Sequence, residues 1–185
     1  MNTSYNLNDS WVFWTHYSND TNWGLNSYKC ITKFNDLISA IKIIEYININ
    51  IINNCNCFIM KNNCLPLWED ETNINGGNFS YKIYSKDILK IWKHLCYRLI
   101  GNTLTSDEDI LNNINGISIS SKRNFYIIKF WLRDTKNITE KNKIFYDFIY
   151  TNTNTNTNTN ISDPFSISNL CNLDPLVCIF KLHKI

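Results

Sequence analysis

The chain has 185 residues, of which 44% are hydrophobic and 14% aromatic, enough for one domain with a sizeable core. A formal charge of +2 excludes a general nucleic-acid binder, which carries a strongly basic face, so any nucleic-acid contact has to be a pocket. The apolar runs are short and broken by Asn or Lys, which excludes a membrane-spanning helix. Asn occurs 31 times and Ile 28 times, and both residues have AT-rich codons, so polar loops are read with that bias in mind. The seven cysteines form no C-x-x-C pair, and Met1 to Ser10 is too polar for a signal peptide. Reduced thiols, no metal and a cytoplasmic location are expected.

Residues 1–9 read as a flexible arm, and 10–185 as a single domain. Trp11-Val12-Phe13-Trp14 opens a strand. Asn19-Asp20-Thr21-Asn22 signals a loop that ends at Trp23, and Tyr28 to Phe34 is a second strand. Phe34, Leu37, Ile38, Ile41, Ile44 and Ile47 then recur with helical period, with Asn35 or Asp36 as the cap. Cys57 to Met60 is a compact strand.

The stretch Leu65 to Phe79 combines an aromatic, three consecutive carboxylates and a turn. Pro66 keeps Trp68 out of a helix interior, and Asn75-Gly76-Gly77-Asn78 is the chain's tightest turn signal because glycine accepts positive φ. Trp68 is thus a second loop-placed indole beside Trp23. Glu69 offers two coplanar acceptors for a ligand edge with two adjacent N–H donors. The alternative is that Trp68 caps the core and Glu69, Asp70 and Glu71 form a solvated turn.

Phe79 to Tyr84 alternates as a strand. Ser85 caps a helix with Ile88, Ile91, Trp92, Leu95 and Leu99 on one face, closed by Gly101. Residues 102–113 read as an acidic loop. Ile114 to Ser121 and Phe125 to Leu132 form a hairpin turning at Lys122-Arg123-Asn124. A third helix is expected from Thr139 to Tyr150, and a last strand from Leu176 to Leu182. Between them lies a low-complexity insertion at about 151–174, whose Thr151–Asn160 part is a perfect Thr-Asn repeat with nothing to bury, explicable as codon-repeat expansion. The pattern predicts an α+β fold with helices on one face of an antiparallel sheet.

Trp11-x-x-Trp14, Trp23, Lys33-Phe34, Pro66-x-Trp68-Glu69-Asp70-Glu71, Gly76-Gly77, Trp92, Leu99-Ile100-Gly101 and Trp131 occur in the order and approximate spacing of translation initiation factor 4E. The sequence therefore resembles that family of messenger-RNA cap-binding proteins. The resemblance implies a curved antiparallel sheet of about eight strands, three helices on its convex face and a slot for 7-methylguanosine on the concave face. By resemblance, Trp23 and Trp68 sandwich the methylated base. N7 methylation makes guanine cationic, and an indole face both attracts a cation and stacks on a base. Glu69 corresponds to the carboxylate that accepts guanine N1–H and N2–H, and Trp131 to the residue that touches the methyl group. No cofactor is implied, and the protein is expected to be a monomer with no membrane partner.

Two regions depart from the family. Its phosphate-binding arginine after the Gly-Gly turn corresponds to Asn78, and a lysine before the last pocket tryptophan to Ile127. Lys122, Arg123 and Lys129 are left as the phosphate-binding candidates. Either the grip is weak, or it is rebuilt, or the cap end differs chemically. On the partner-binding face, where the family takes a helical Tyr-x-x-x-x-Leu segment of a scaffold initiation factor (4G-like), the corresponding residues are Leu37, Ile41, Lys93 and Tyr97. Ile41 replaces a tryptophan and Lys93 and Tyr97 replace leucines, so a divergent scaffold partner is expected. With Ile185 just after the last strand, the family's C-terminal loop is expected to be missing, and the 151–174 insertion either covers the pocket or dangles. The composition suits a fast-diverging copy carried by a large DNA virus.

The resemblance thus implies a cap-binding translation initiation factor that is not an enzyme. His16, His94 and His183 fall on separate elements, and the one carboxylate run belongs to the motif. The competing reading is a decoy that keeps the fold and sequesters translation-factor partners without holding caps. Retention of Trp23, Trp68, Glu69 and Trp131 argues against it.

Overall fold

A computed structural model describes residues 5–84, 86–105, 107–136 and 178–183. The strands are β1 (Asn6–Tyr17), β2 (Tyr28–Asp36), β3 (Cys55–Lys61), β4 (Gly77–Ile83), β5 (Ile114–Ser121), β6 (Tyr126–Leu132) and β7 (Cys178–Leu182). The helices are α1 (Leu37–Tyr46), α2 (Ile49–Asn54), α3 (Ile88–Ile100) and α4 (Glu108–Asn113). Among the described residues seven strands form one sheet in the order β2-β1-β3-β5-β6-β4-β7, every neighbouring pair antiparallel. The expected α+β architecture holds: a curved antiparallel sheet with helices packed on it.

Strand alternation divides the side chains between two faces. Trp11, Phe13, Ile59, Ile117, Phe79 and Phe130 meet Ile44, Ile91, Trp92 and Leu95 of the helices in the main core. The intervening positions on the open face gather Tyr28, Phe58, Met60, Cys64 and Trp131 into a smaller cluster, against which Trp14 and Leu67 pack. Side chains cap three of the helices. Asp36 Oδ1 accepts from Ser39 N–H at 2.9 Å, Asn48 Oδ1 from Asn50 and Ile51 N–H, and Asp107 Oδ1 from Ile110 N–H.

Several sequence expectations shift. β1 begins at Asn6 and Lys61 pairs with Asp9 at 3.1 Å, so residues 6–9 of the expected arm belong to the sheet. The supposed loop 102–113 contains α4, because Asp107 caps a turn that opens with Glu108 and Asp109, where carboxylates suit the helix dipole. α2 was not anticipated either, since its six residues follow Ile47 without a break in composition. Gly101 does flank the end of α3, but Asn102 takes the left-handed backbone, at φ 52°. α3 begins at Ile88 with Asp87 at its N-cap position, so Ser85 is not the cap the sequence led us to expect. The expected helix at 139–150 and the insertion at 151–174 lie outside the described residues.

The Gly76-Gly77 pair has a different cause from the one expected. Neither glycine has positive φ. A Cβ on Gly76 would lie 1.8 Å from Leu132 O, and one on Gly77 would lie 2.6 Å from Lys181 O. Glycine is required here because β4 enters the sheet between β6 and β7 in backbone contact with both.

Candidate functional site

The open face carries a cleft of about 430 Å³. Trp23, Tyr28, Phe58, Trp68, Glu69 and Trp131 line one part of it, and Ser118, Ser120, Lys122, Ile127 and Lys129 another. Both loop indoles therefore reach the same cavity, although they lie on connections far apart in the chain. Trp23 is 55% exposed and Trp68 is 38% exposed, whereas Trp131 is 3% exposed and lies in the floor. Ser118 Oγ accepts from Trp131 Nε1–H at 3.0 Å and fixes that ring.

Each exposed indole is backed by a histidine. His16 stacks on Trp23 with centroids 4.2 Å apart and planes at 6°. Its Nε2–H donates to Asn22 O at 2.7 Å, tying the stack to the loop before Trp23. His183 lies against Trp68 at 5.6 Å and 11°, and also touches Trp131 at 5.2 Å. Sequence reasoning had set these histidines aside as unrelated, because nothing in their spacing shows that β1 and the segment after β7 arrive behind the two indoles.

The loop bearing Trp68 and Glu69 is held from within by asparagine amides. Asn73 is buried, and its Nδ2 donates to Leu65 O and Leu67 O at 2.9 and 2.8 Å. Asn115 Nδ2 donates to Asn73 Oδ1 and to Thr72 O. His183 Nδ1–H donates to Asn73 O at 2.8 Å, which leaves Nε2 to accept from Asn78 Nδ2 at 3.2 Å. In this tautomer a second ring proton would face a donor, and burial pushes the His183 pKa below its ordinary value. Codon bias could account for the number of asparagines, but these three support the site.

Glu69 is exposed at the edge of the cleft, close enough to make Tyr28 a weaker acid: the hydroxyl pKa is pushed up to about 12 by burial and then by the carboxylate. Lys122 and Lys129 line the cleft, while Arg123 is exposed in the hairpin turn and is not among the lining residues. Lys129 Nζ sits 5.2 Å from the Trp68 ring centroid. Burial, then Lys181 and Lys122, lowers its pKa. Asn78 is buried and its amide is used on His183 and Ser80, so it offers nothing to a ligand. The cleft thus presents π-faces, one carboxylate edge and a cationic end. Those groups suit a flat, cation-bearing heterocycle with adjacent N–H donors and an attached anion.

On the opposite side of the sheet, Leu37 and Ile41 of α1 are exposed. Lys93 Nζ donates to Glu45 Oε2 at 2.6 Å and Tyr97 O–H to Glu45 Oε1 at 2.8 Å, so both α3 positions are tied to α1. Those two bonds hold the Glu45 carboxyl below its ordinary pKa.

A family model described as eukaryotic initiation factor 4E matches residues 6–169. The chain is 39% identical over 62 residues to a eukaryotic translation initiation factor 4E homolog of Acanthamoeba polyphaga mimivirus, covering 34% of this chain and 23% of that protein. It is 30% identical over 77 residues to eukaryotic translation initiation factor 4E of Saccharomyces cerevisiae, covering 40% and 35%. The alignments thus span well under half of these relatives. The fold is similar to that of Caenorhabditis elegans eIF4E-3 in complex with the 4E-binding protein Mextli and cap analog, with TM-score 0.64, 18% identity and coverage of 72% and 76%. It is also similar to Schistosome eIF4E complexed with m7GpppG and 4E-BP, with TM-score 0.66, 18% identity and coverage of 73% and 75%.

Proposed function

Because the chain belongs to the eukaryotic initiation factor 4E family, we propose that its open-face cleft holds the 7-methylguanosine cap of messenger RNA and that it acts in translation initiation. The observation that carries this reading is the arrival of Trp23 and Trp68, from separate loops, at one cleft with Glu69 on its edge. Trp23 and Trp68 stack on the two faces of the base, whose N7 methyl group supplies the positive charge that an indole attracts. Glu69 accepts N1–H and N2–H of guanine, a pair of donors that adenine lacks. Trp131, in the floor, contacts the methyl group.

The triphosphate lies toward Lys122 and Lys129. Arg123 reaches it only by turning inward, since it is not among the lining residues. Leu37 and Ile41 with Lys93 and Tyr97 form the face for a helical segment of a scaffold initiation factor. The Glu45 network places a carboxylate, an ammonium and a hydroxyl beside the apolar residues. The preferred segment therefore carries polar groups that meet the Glu45, Lys93 and Tyr97 network.

The test is tryptophan fluorescence quenching by 7-methyl-GTP and by GTP at physiological salt. Tighter binding of the methylated ligand supports the cation–π sandwich. Equal weak binding of both overturns it and favours a fold kept for partner binding alone.

A further inference from the structure

Beyond the cleft, the open face ends in an aromatic pair that the cap reading does not use. Ile83 pairs with Tyr126, Ile83 is buried, and Tyr126 O–H donates to Asn53 of α2 on the helix side. Tyr84 and Phe125 follow just beyond this last strand pair, and their contacts with Lys82 place them with the open-face residues Lys82 and Ile127. Tyr84 and Phe125 have ring centroids 5.7 Å apart at 50°. Lys82 Nζ lies 4.2 Å from the Phe125 ring centroid and 5.0 Å from that of Tyr84. Tyr84 is nevertheless 65% exposed, so most of a large ring faces solvent.

The pair is continuous with the cleft. Ile127 and Lys122 line the cleft, and Lys122 N–H donates to Phe125 O at 2.8 Å across the hairpin end. Along β6, Phe125 lies six residues from Trp131, about 20 Å at the rise of a strand. That is further than a triphosphate extends, so a ligand leaving the cleft past Lys129 and Lys122 arrives here with its next nucleosides. The paired strands and the residues just beyond them, 78–84, 116–121 and 125–131, contain Lys82 and Lys129 and no Asp or Glu. Such a strip suits a polyanion, and an exposed ring beside a lysine, here Tyr84 backed by the half-buried Phe125, is what an unpaired base stacks on.

Resting on the cap reading, we propose that Tyr84 and Phe125, with Lys82, form a stacking site for a base of the RNA just downstream of the cap triphosphate. The protein then holds capped RNA at two places, the methylated base in the cleft and a transcribed base on Tyr84, with the lysines between them on the phosphates. A single stacked base adds about 5-fold or more to affinity.

The experiment measures dissociation constants for 7-methyl-GTP, a capped pentanucleotide and the same pentanucleotide uncapped, with wild type, Tyr84→Ala, Phe125→Ala and Tyr84→Phe. The expected result is that wild type binds the capped pentanucleotide about 5- to 10-fold tighter than 7-methyl-GTP. Tyr84→Ala and Phe125→Ala lose that advantage and keep their affinity for 7-methyl-GTP, while Tyr84→Phe retains both. The inference is overturned if wild type shows no advantage for the capped RNA, if the advantage survives both alanine variants, or if they weaken both ligands equally. Absence of 7-methyl-GTP binding by wild type overturns the cap reading and this inference with it. Uncapped RNA bound as well as capped RNA overturns this inference, because the stacked base then does not follow a held cap, while 7-methyl-GTP binding by wild type in the same assay leaves the cap reading standing.

Discussion

His183 lies parallel to Trp68, with ring centroids 5.6 Å apart and planes 11° from each other, while its Nδ1–H holds the Asn73 carbonyl of the same loop. One side chain therefore supports the indole and fastens the loop that carries it. His183→Ala removes the stack and leaves the buried Asn78 amide without its acceptor, a loss of about 1–3 kcal/mol. Urea unfolding should show that loss, and quenching by 7-methyl-GTP should weaken as Trp68 becomes less ordered.

The same histidine sets a pH dependence. Its folded pKa lies below the ordinary 6.5, so the unfolded chain takes up the proton first as pH falls. The stabilisation by neutral His183 is complete above about pH 6.5 and is lost as pH falls through the lower folded value. Denaturation curves from pH 7.5 to 5 should show the gap between wild type and His183→Gln narrowing toward acid. A gap that stays constant would assign the acid sensitivity to other groups.

Trp23→Ala and Trp68→Ala should each weaken 7-methyl-GTP binding about 10- to 100-fold, the loss of one stacked face. Both rings are partly exposed, so cooperative unfolding should change little. Glu69→Ala should remove the preference for guanine over adenine caps, and calorimetry with the two cap analogues distinguishes this from a general loss of stacking.

Lys129→Ala should weaken 7-methyl-GTP more than 7-methylguanosine and reduce the salt dependence of binding, because one phosphate contact is removed. Burial and the neighbouring Lys181 and Lys122 lower the Lys129 pKa, so its charge is lost before pH reaches the ordinary 10.5. Affinity for the triphosphate should therefore begin to fall on the alkaline side of neutrality earlier in wild type than in Lys129→Arg.

Gly76→Ala places a methyl group on the Leu132 carbonyl, where a backbone shift in β4 or β6 is the only relief. A loss of about 3 kcal/mol is expected by thermal or urea unfolding. The same variant should weaken cap binding, since β4 leads directly out of the Trp68 loop.

Local sequence determined much of this protein. The helical period from Phe34 to Ile47, the Asp36 cap, the β5–β6 hairpin and the Pro66-x-Trp68-Glu69 motif all act through neighbours a few residues apart. Their spacing therefore shows in the chain itself. The short helices α2 and α4 were hidden because six residues cannot display an apolar period against an Asn-rich background. Tertiary structure alone decided which residues stand behind the motif. His16 backs Trp23 from β1, His183 backs Trp68 from beyond β7, and Asn73, Asn78 and Asn115 become supports only once they are buried together. It also converted the Gly76-Gly77 pair from an expected turn into a point of backbone contact among three strands. The physical reason is range: propensity and period are fixed by adjacent residues, whereas a buried hydrogen bond or a ring stack exists only where the sheet brings distant segments together.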